Sequence, residues 1–226
     1  MSRPQAFDQN ETASSLEESL GRAFARIAPP MQLVEVALKD TVDARAQVIG
    51  ELGDHILSSG GKRLRPALVL LAAELVGYTG PRRIELAAAL ELLHTATLVH
   101  DDVVDLAGHR RGRPSANAIW GNRRAVLAGD FFYARASSML IADGNLEIVE
   151  SYSRTIGLLA EGELLQLERS FDVDITETHY YDVIERKSAA LLSACCEIGC
   201  LLGEVTRTER NRICEYGRQL GIAFQL

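Results

Sequence analysis

The sequence predicts an all-α protein, and three features of its composition support this prediction. All six prolines lie at or before Pro114, so the second half of the chain lacks the residue that most strongly breaks helices. Alanine, leucine, glutamate and arginine dominate, and they favour helices. Alternating runs of β-branched residues, which are typical of strands, are nearly absent. A chain of 226 residues without repeats or linkers is expected to form one domain over 1–226, with a polar tail at 1–13.

Prolines and glycines set the predicted helix boundaries. Pro29 and Pro30 are expected to end a first helix over residues 13–27. A second helix is expected over 32–57, with an interruption near its two glycines. The other boundaries predict loops at 58–61 and 108–117 and helices over 67–76, 82–105, 123–142, 146–168, 178–202 and 206–226.

Charge and cysteine content exclude several classes of function. The net charge is −7, which argues against a nucleic acid partner and requires any phosphate recognition to come from local basic clusters. The four cysteines form no CxxC pair, which argues against a zinc ribbon or a disulfide framework and favours a cytoplasmic protein with reduced thiols. No segment reaches the roughly 18 apolar residues of a transmembrane helix. The most apolar segment, residues 188–203, is expected to be a buried helix.

Two aspartates near the end of an apolar helix are the sharpest candidate for chemistry. Asp101 and Asp105 are four residues apart, so on a helix both carboxylates project from one face. Like charges at a helix C-terminus oppose each other and the helix dipole, which makes little sense without a cation. Hard oxygen ligands at this spacing suit Mg²⁺ carrying a phosphate. A solvated acidic helix end is the alternative for such a pair taken alone.

Two basic segments flank the carboxylate pair. The sequence GGKRLRP at 60–66 combines a glycine turn with three cations at a helix start, and HRRGRP follows at 109–114. Either segment alone could be a solvated surface. Together with the carboxylates they predict a site for a metal-bound diphosphate and a second anion.

The helix that carries the aspartates also contains a histidine and several small residues. His94 lies two turns before Asp101 on the same stripe, which favours a hydrogen bond to phosphate over a role in the core. Small residues at 88, 89, 96 and 97 predict an apolar groove beneath the carboxylates, although close helix packing on alanine explains them equally well.

Five segments together resemble a known family. In chain order they read GGKRLRP, LLHTATLVHDDVVD, RRGRPSAN, LAGDFFYARA and GELLQLE. They are similar to the all-trans polyprenyl diphosphate synthases, and the resemblance runs over 60–226. It implies an isoprenoid-synthase-type helical bundle around a central cavity. It also implies an Mg²⁺-dependent prenyltransferase, a homodimer in the family, that condenses isopentenyl diphosphate with an allylic diphosphate.

The resemblance also implies roles for individual residues. Asp101 and Asp105 would ligate Mg²⁺ on the allylic diphosphate, with Asp102 in support. Arg110 would contact the allylic diphosphate. The isopentenyl diphosphate site would consist of Lys62, Arg65, His94 and Arg111.

Three further positions resemble family motifs nearer the C-terminus. Lys187 would neutralise the leaving diphosphate, and the Ser188 hydroxyl would hydrogen-bond it. Gln225, in a segment similar to GxxFQ, would lie near the allylic diphosphate. Positions 96 and 97 control product length in the family, and the small Ala96 and Thr97 predict a long product of the octaprenyl type.

The family pattern departs from this sequence after Gln225. In the family, the GxxFQ segment leads directly into a second aspartate-rich motif. In this sequence, Leu226 follows Gln225. Two readings stay open: a C-terminally incomplete piece of a synthase, and a non-catalytic or regulatory subunit.

Other metal-dependent classes are also conceivable. His55, His94 and the pair His100 and Asp101 faintly resemble HD-type phosphohydrolases. That class explains neither the glycine-rich basic loop nor the paired arginines. A terpene cyclase would not need the basic pocket for isopentenyl diphosphate.

Overall fold

The computed structural model describes residues 9–226 apart from Ala44 and Ser59. The helices are α1 Gln9–Thr41, α2 Gln47–Leu57, α3 Leu64–Leu75, α4 Arg82–Val104, α5 Ala116–Trp120, α6 Asn122–Ala142, α7 Leu146–Glu168, α8 Glu177–Ile184, α9 Ala190–Cys200 and α10 Arg207–Ala223. A hairpin of β1 His109–Arg110 and β2 Arg113–Pro114 and a π-helical turn at Glu185–Ala189 complete the elements. The prediction of an all-α fold is confirmed. Of the predicted polar tail, residues 1–8 lie outside the described residues, and residues 9–13 belong to α1.

Helix α4 forms the centre of the bundle and contacts α1, α3, α6 and α9. Residues 86–93 of α4 are all buried, and the alanines at 87–89 have no exposed surface. Small side chains let the neighbouring helices approach closely, and close packing stabilises the core. The following turns of α4 therefore carry His94 to Asp101 on a rigid support.

Helix α1 contradicts the predicted stop at Pro29 and Pro30. The helix continues through both prolines to Thr41. An internal proline costs about 3 kcal/mol because it removes a hydrogen bond and clashes with the preceding turn. Burial of Ile27, Val34 and Leu38, each at most 1% exposed, offsets that cost at about 1.5–3 kcal/mol per side chain. Packing thus overrides the local preference.

The break between the first two helices lies at Val42 instead of at the prolines. Helix α2 then runs through both Gly50 and Gly53, so the expected interruption there is wrong. Gly53 is buried, and the side chain of Val42 occupies the space that its Cβ would need. The glycine serves close packing.

The predicted basic loop contains a tight hairpin. His109 pairs with Pro114 and Arg110 with Arg113, which leaves Arg111 and Gly112 in the turn. Their φ angles are 51° and 76°, as a type I′ turn requires. Arg111 therefore lies at the hairpin tip.

The helix predicted over 178–202 is divided by the π turn. Single π turns inside α-helices are frequent at functional sites. A Cβ on Gly162 of α7 would lie 2.8 Å from the Cβ of Arg186 and 2.8 Å from the backbone nitrogen of Lys187. This close approach sets the position of the π turn against α7.

The cysteines are free thiols, as expected. Cys195, Cys196 and Cys200 are buried, and burial raises the pKa of Cys196 to about 12. In the part of the chain that the structure describes, no helix is both long and apolar enough to cross a membrane.

Candidate active site

A cavity of about 620 Å³ gathers most of the predicted site residues. Its wall is supplied by α3, α4, α6, α7 and α9, the loop before α3, the hairpin tip, the π turn and the residues at 224 and 225 that follow α10. The predicted residues that line it are Lys62, Arg65, His94, Ala96, Thr97, Asp101, Arg111, Lys187, Ser188 and Gln225. Asp105 and Arg110 are not among the lining residues. Residues far apart in sequence therefore meet in one chamber.

One group of cavity residues is strongly cationic, and we call Arg65, His94 and Arg111 the arginine cluster. Neither arginine of this cluster has a carboxylate partner within 4 Å among the described residues, and the buried Nε of Arg65 has no hydrogen bond. A Cβ on Gly61 would lie 2.9 Å from Nη1 of Arg111, so the loop and the hairpin tip approach each other closely here. The cluster presents positive charge without a direct ion pair, although the Glu91 carboxylate attracts Arg65 at longer range.

His94 is neutral in this environment. Burial lowers its pKa well below the ordinary value, and the positive charges of Arg65, Arg111, Arg110 and Arg63 lower it further. A neutral imidazole can donate one hydrogen bond to a phosphate oxygen without adding charge.

A second group surrounds the first aspartate, and we call Asp101, Glu163 and Lys187 the carboxylate cluster. Burial raises the pKa of Asp101 to about 6; Lys187 opposes this shift, and Glu163 adds to it. Lys187 Nζ lies 2.5 Å from Glu163 Oε2 and donates to Gln166 Oε1 at 3.1 Å. Lysine is thus already paired.

The two predicted metal ligands, Asp101 and Asp105, lie at the end of α4. Asp101 lies in the last turn of α4, and Asp105, which is exposed, caps that helix. No group of three His, Cys, Asp or Glu side chains suited to a metal ion occurs within the described residues. Mg²⁺ commonly takes one or two carboxylates and completes its shell with waters and phosphate oxygens. The donor set therefore suits magnesium bound together with a diphosphate.

Arg110 is engaged away from the cavity wall. Its Nε donates to Asp102 at 2.8 Å, and its Nη2 lies 2.7 Å from the same carboxylate. Asp102 is buried, so this pair fixes the hairpin to α4. The charge of Arg110 still lowers the pKa of both His94 and Asp101.

The end of the described chain closes one side of the cavity. Gln225 donates from Nε2 to Ser188 Oγ at 2.6 Å, and Tyr180 donates to the Gln225 carbonyl at 3.0 Å. The ring centroid of Phe224 lies 5.6 Å from Lys62 Nζ, within the range of a cation–π contact.

The rest of the lining is largely apolar. Ala96 is buried and Thr97 partly buried, and the Thr97 hydroxyl donates to the His94 carbonyl. Tyr133, Ile156 and Leu159 extend this surface. The chamber combines charged groups with room for a hydrocarbon chain.

Sequence reasoning assigned no role to several of these residues. Glu163 and Gln166 lie one helical turn apart in the GELLQLE segment, and that spacing could have placed both on the face towards Lys187. Phe224 and Tyr133 lie in the segments GxxFQ and LAGDFFYARA, but no spacing argument directed either ring towards the cavity.

Solved structures identify the architecture. The decaprenyl diphosphate synthase from Rhodobacter capsulatus matches with a TM-score of 0.87 and 41% identity, covering 91% of this chain and 63% of that chain. A polyprenyl synthase from Caulobacter crescentus CB15, solved with calcium and isoprenyl diphosphate, matches with a TM-score of 0.88 and 38% identity, covering 91% and 62%. The fold is therefore the all-α isoprenoid synthase fold, as the resemblance implied.

The sequence comparisons define the family. A model of the polyprenyl synthetase family matches residues 46–226, and the chain belongs to that family. The octaprenyl diphosphate synthase of Escherichia coli K12 is 45% identical over 199 residues, which are 88% of this chain and 62% of that protein. The octaprenyl diphosphate synthase of Haemophilus influenzae is 39% identical over 198 residues, or 88% and 60%. The chain thus spans less than two thirds of these relatives' length. Because the chain belongs to the polyprenyl synthetase family, the alternative of an HD-type phosphohydrolase is wrong.

Proposed function

We propose that this protein transfers prenyl groups: it condenses isopentenyl diphosphate with an allylic diphosphate to form a long all-trans polyprenyl diphosphate. The observation that carries the proposal is one cavity with two electrostatically different clusters above an apolar lining. The relatives named above include two octaprenyl and one decaprenyl diphosphate synthase, which supports a long product.

The arginine cluster would hold isopentenyl diphosphate together with Lys62. Its unpaired guanidinium groups would donate charge-assisted hydrogen bonds to the diphosphate oxygens, and neutral His94 would add one donor. Fixing this substrate places its double bond against the reacting carbon, which is catalysis by positioning.

The carboxylate cluster would hold the allylic diphosphate. Asp101 and Asp105 would bind Mg²⁺, which supplies charge to stabilise the departing diphosphate. Lys187, released from Glu163, would donate to the same oxygens as the carbon–oxygen bond breaks. The resulting allylic cation needs a dry pocket, and the apolar lining would exclude water. Attack by the double bond forms the new carbon–carbon bond, and loss of a proton to the released diphosphate restores an allylic product.

A direct assay tests the proposal. Purified protein is incubated with radiolabelled isopentenyl diphosphate, farnesyl diphosphate and Mg²⁺, and the extracted products are separated by chain length. We expect long polyprenyl products from the unaltered protein and a loss of at least about 100-fold with Asp101→Asn, because the metal loses a charged ligand. Ala96→Phe should shorten the product, since the ring occupies the space beneath the carboxylates.

The controls separate the candidate activities. Asp143→Asn, at a carboxylate that pairs with Arg82 away from the cavity, should leave product length and rate unchanged. Failure of the protein to bind either diphosphate, measured by calorimetry with Mg²⁺, would contradict the proposal. Binding without turnover would fit both an incomplete piece of a synthase and a non-catalytic subunit, and of the two only the subunit should alter the rate or product of a full-length synthase mixed with it. We further propose a homodimer, as the resemblance implies, and a cytoplasmic location, which the free thiols support.

A further inference from the structure

Arg63, in the middle of the basic loop, is held by acidic side chains. Its Nε donates to Glu35 Oε1 at 2.6 Å and its Nη2 to Glu35 Oε2 at 3.1 Å, a bidentate pair with α1. Its Nη1 donates to Glu91 Oε1 of α4 at 2.9 Å. The charge of Arg63 is therefore compensated before any ligand binds.

The same guanidinium also ties the loop to α2. Nη2 of Arg63 donates to the Leu57 carbonyl, in the last residue of α2, at 3.2 Å. One side chain thus bridges α1, α2 and α4 from the loop that precedes α3. Glu91 is buried, and its second oxygen has no hydrogen bond among the described residues, so Arg63 is its principal partner.

The backbone of Arg63 shows why such a clamp is needed. Arg63 has φ 47° and ψ 36°, a left-handed conformation at the N-cap of α3 that is unfavourable for a residue with a side chain. Conformations of this kind persist where the surroundings hold them. Lys62 and Arg65 lie on either side of this turn and line the cavity without an ion pair among the described residues.

We propose that Arg63 is a positioning residue: clamped by Glu35 and Glu91, it fixes the turn that directs Lys62 and Arg65 into the cavity. Arg63 also lines the cavity, but its guanidinium is already paired with two carboxylates, so its contribution to diphosphate binding comes chiefly through the loop. The inference rests on the proposed binding of isopentenyl diphosphate at the arginine cluster. It explains why Lys62 and Arg65 point into the cavity.

Substitution of Glu35 tests the clamp through the direction in which the affinity for diphosphate changes. Glu35→Gln removes a negative charge close to an anion site, so electrostatics alone predicts tighter binding of a diphosphate. The clamp predicts the opposite, because glutamine cannot pair bidentately with a guanidinium as a carboxylate does. We expect isopentenyl diphosphate to bind at least about fivefold more weakly by calorimetry.

Two further variants complete the binding experiment. Glu85→Gln on α4, an exposed glutamate that makes no contact with Arg63, is the matched control and should bind like the unaltered protein. Arg63→Lys retains the charge but not the planar fork, and we expect it to lose affinity at least as strongly. Unchanged or tighter binding with Glu35→Gln, or full affinity with Arg63→Lys, would overturn the clamp.

Limited trypsin digestion of the ligand-free protein tests the clamp independently of any substrate. Glu35→Gln should speed cleavage after Lys62 several-fold over the unaltered protein, since local opening of the loop exposes that bond. Equal cleavage rates would overturn the inference even if isopentenyl diphosphate binds. Conversely, faster cleavage in a protein that binds no diphosphate would support the clamp and contradict the proposed function.

Discussion

The two clusters of the cavity differ in how their charges are balanced before a ligand binds. In the arginine cluster, Arg65 and Arg111 have no ion-pair partner among the described residues. In the carboxylate cluster, Lys187 is paired with Glu163. The first cluster is therefore preorganised for an anion, whereas in the second a ligand must compete with an existing pair.

Arg110 lies electrostatically between the clusters, since it affects the pKa of both His94 and Asp101. It is nevertheless paired with Asp102, in contrast to its neighbour Arg111. The two adjacent arginines of the hairpin therefore have different roles. Arg110 anchors the hairpin to α4, and Arg111 faces the cavity.

The largest expected effect comes from the unpaired arginine at the hairpin tip. Arg111→Gln should weaken isopentenyl diphosphate binding about 100-fold, or about 2.7 kcal/mol, because a charge-assisted bidentate contact is lost. Calorimetry measures the dissociation constant. Arg113→Gln is the matched control: Arg113 donates to Ser58 outside the cavity, and its loss should change binding less than about twofold. Equal effects of the two substitutions would remove the distinction between the clusters.

The arginine cluster should also affect stability through His94. Burial and the arginines keep His94 neutral in the folded protein, whereas the unfolded imidazole binds a proton near pH 6.5. The unfolded state therefore binds more protons below pH 6.5, and the folded protein loses stability as the pH falls. Relative to His94→Gln, which does not titrate, the free energy of unfolding should decrease as the pH falls below about 6.5.

Urea denaturation of both ligand-free proteins at several pH values measures this difference. The subtraction cancels the contributions of other titrating groups, including Asp101. Parallel pH profiles for the two proteins would mean that the pKa of His94 is the same in the folded and the unfolded protein, which would contradict the shift caused by burial and the arginines.

The positions of many site residues could be predicted from the sequence, whereas their contacts depend on the direction of the side chains. The spacing of His94, Asp101 and Asp105 on one helix placed the first two in the cavity, because helical periodicity is independent of the rest of the fold. The sequence placed Arg63 in the basic segment but could not reveal its pairing with Glu35. The two residues are 28 positions apart, so their contact depends on how α1 packs against the loop before α3.

The smallest expected effect sharpens the contrast between the clusters through Glu163. Glu163→Gln should release Lys187 and remove a negative charge near Asp101, so inorganic pyrophosphate should bind about fivefold more tightly without divalent cations, or about 1 kcal/mol. Glu161→Gln is the control, because Glu161 pairs with Arg186 and does not line the cavity. The expected sign is opposite to that of Glu35→Gln, although both substitutions remove one carboxylate charge. If Glu163→Gln also weakened binding, as Glu35→Gln is expected to do, Glu163 would orient Lys187 instead of competing with the ligand for it. Both clusters would then be preorganised alike.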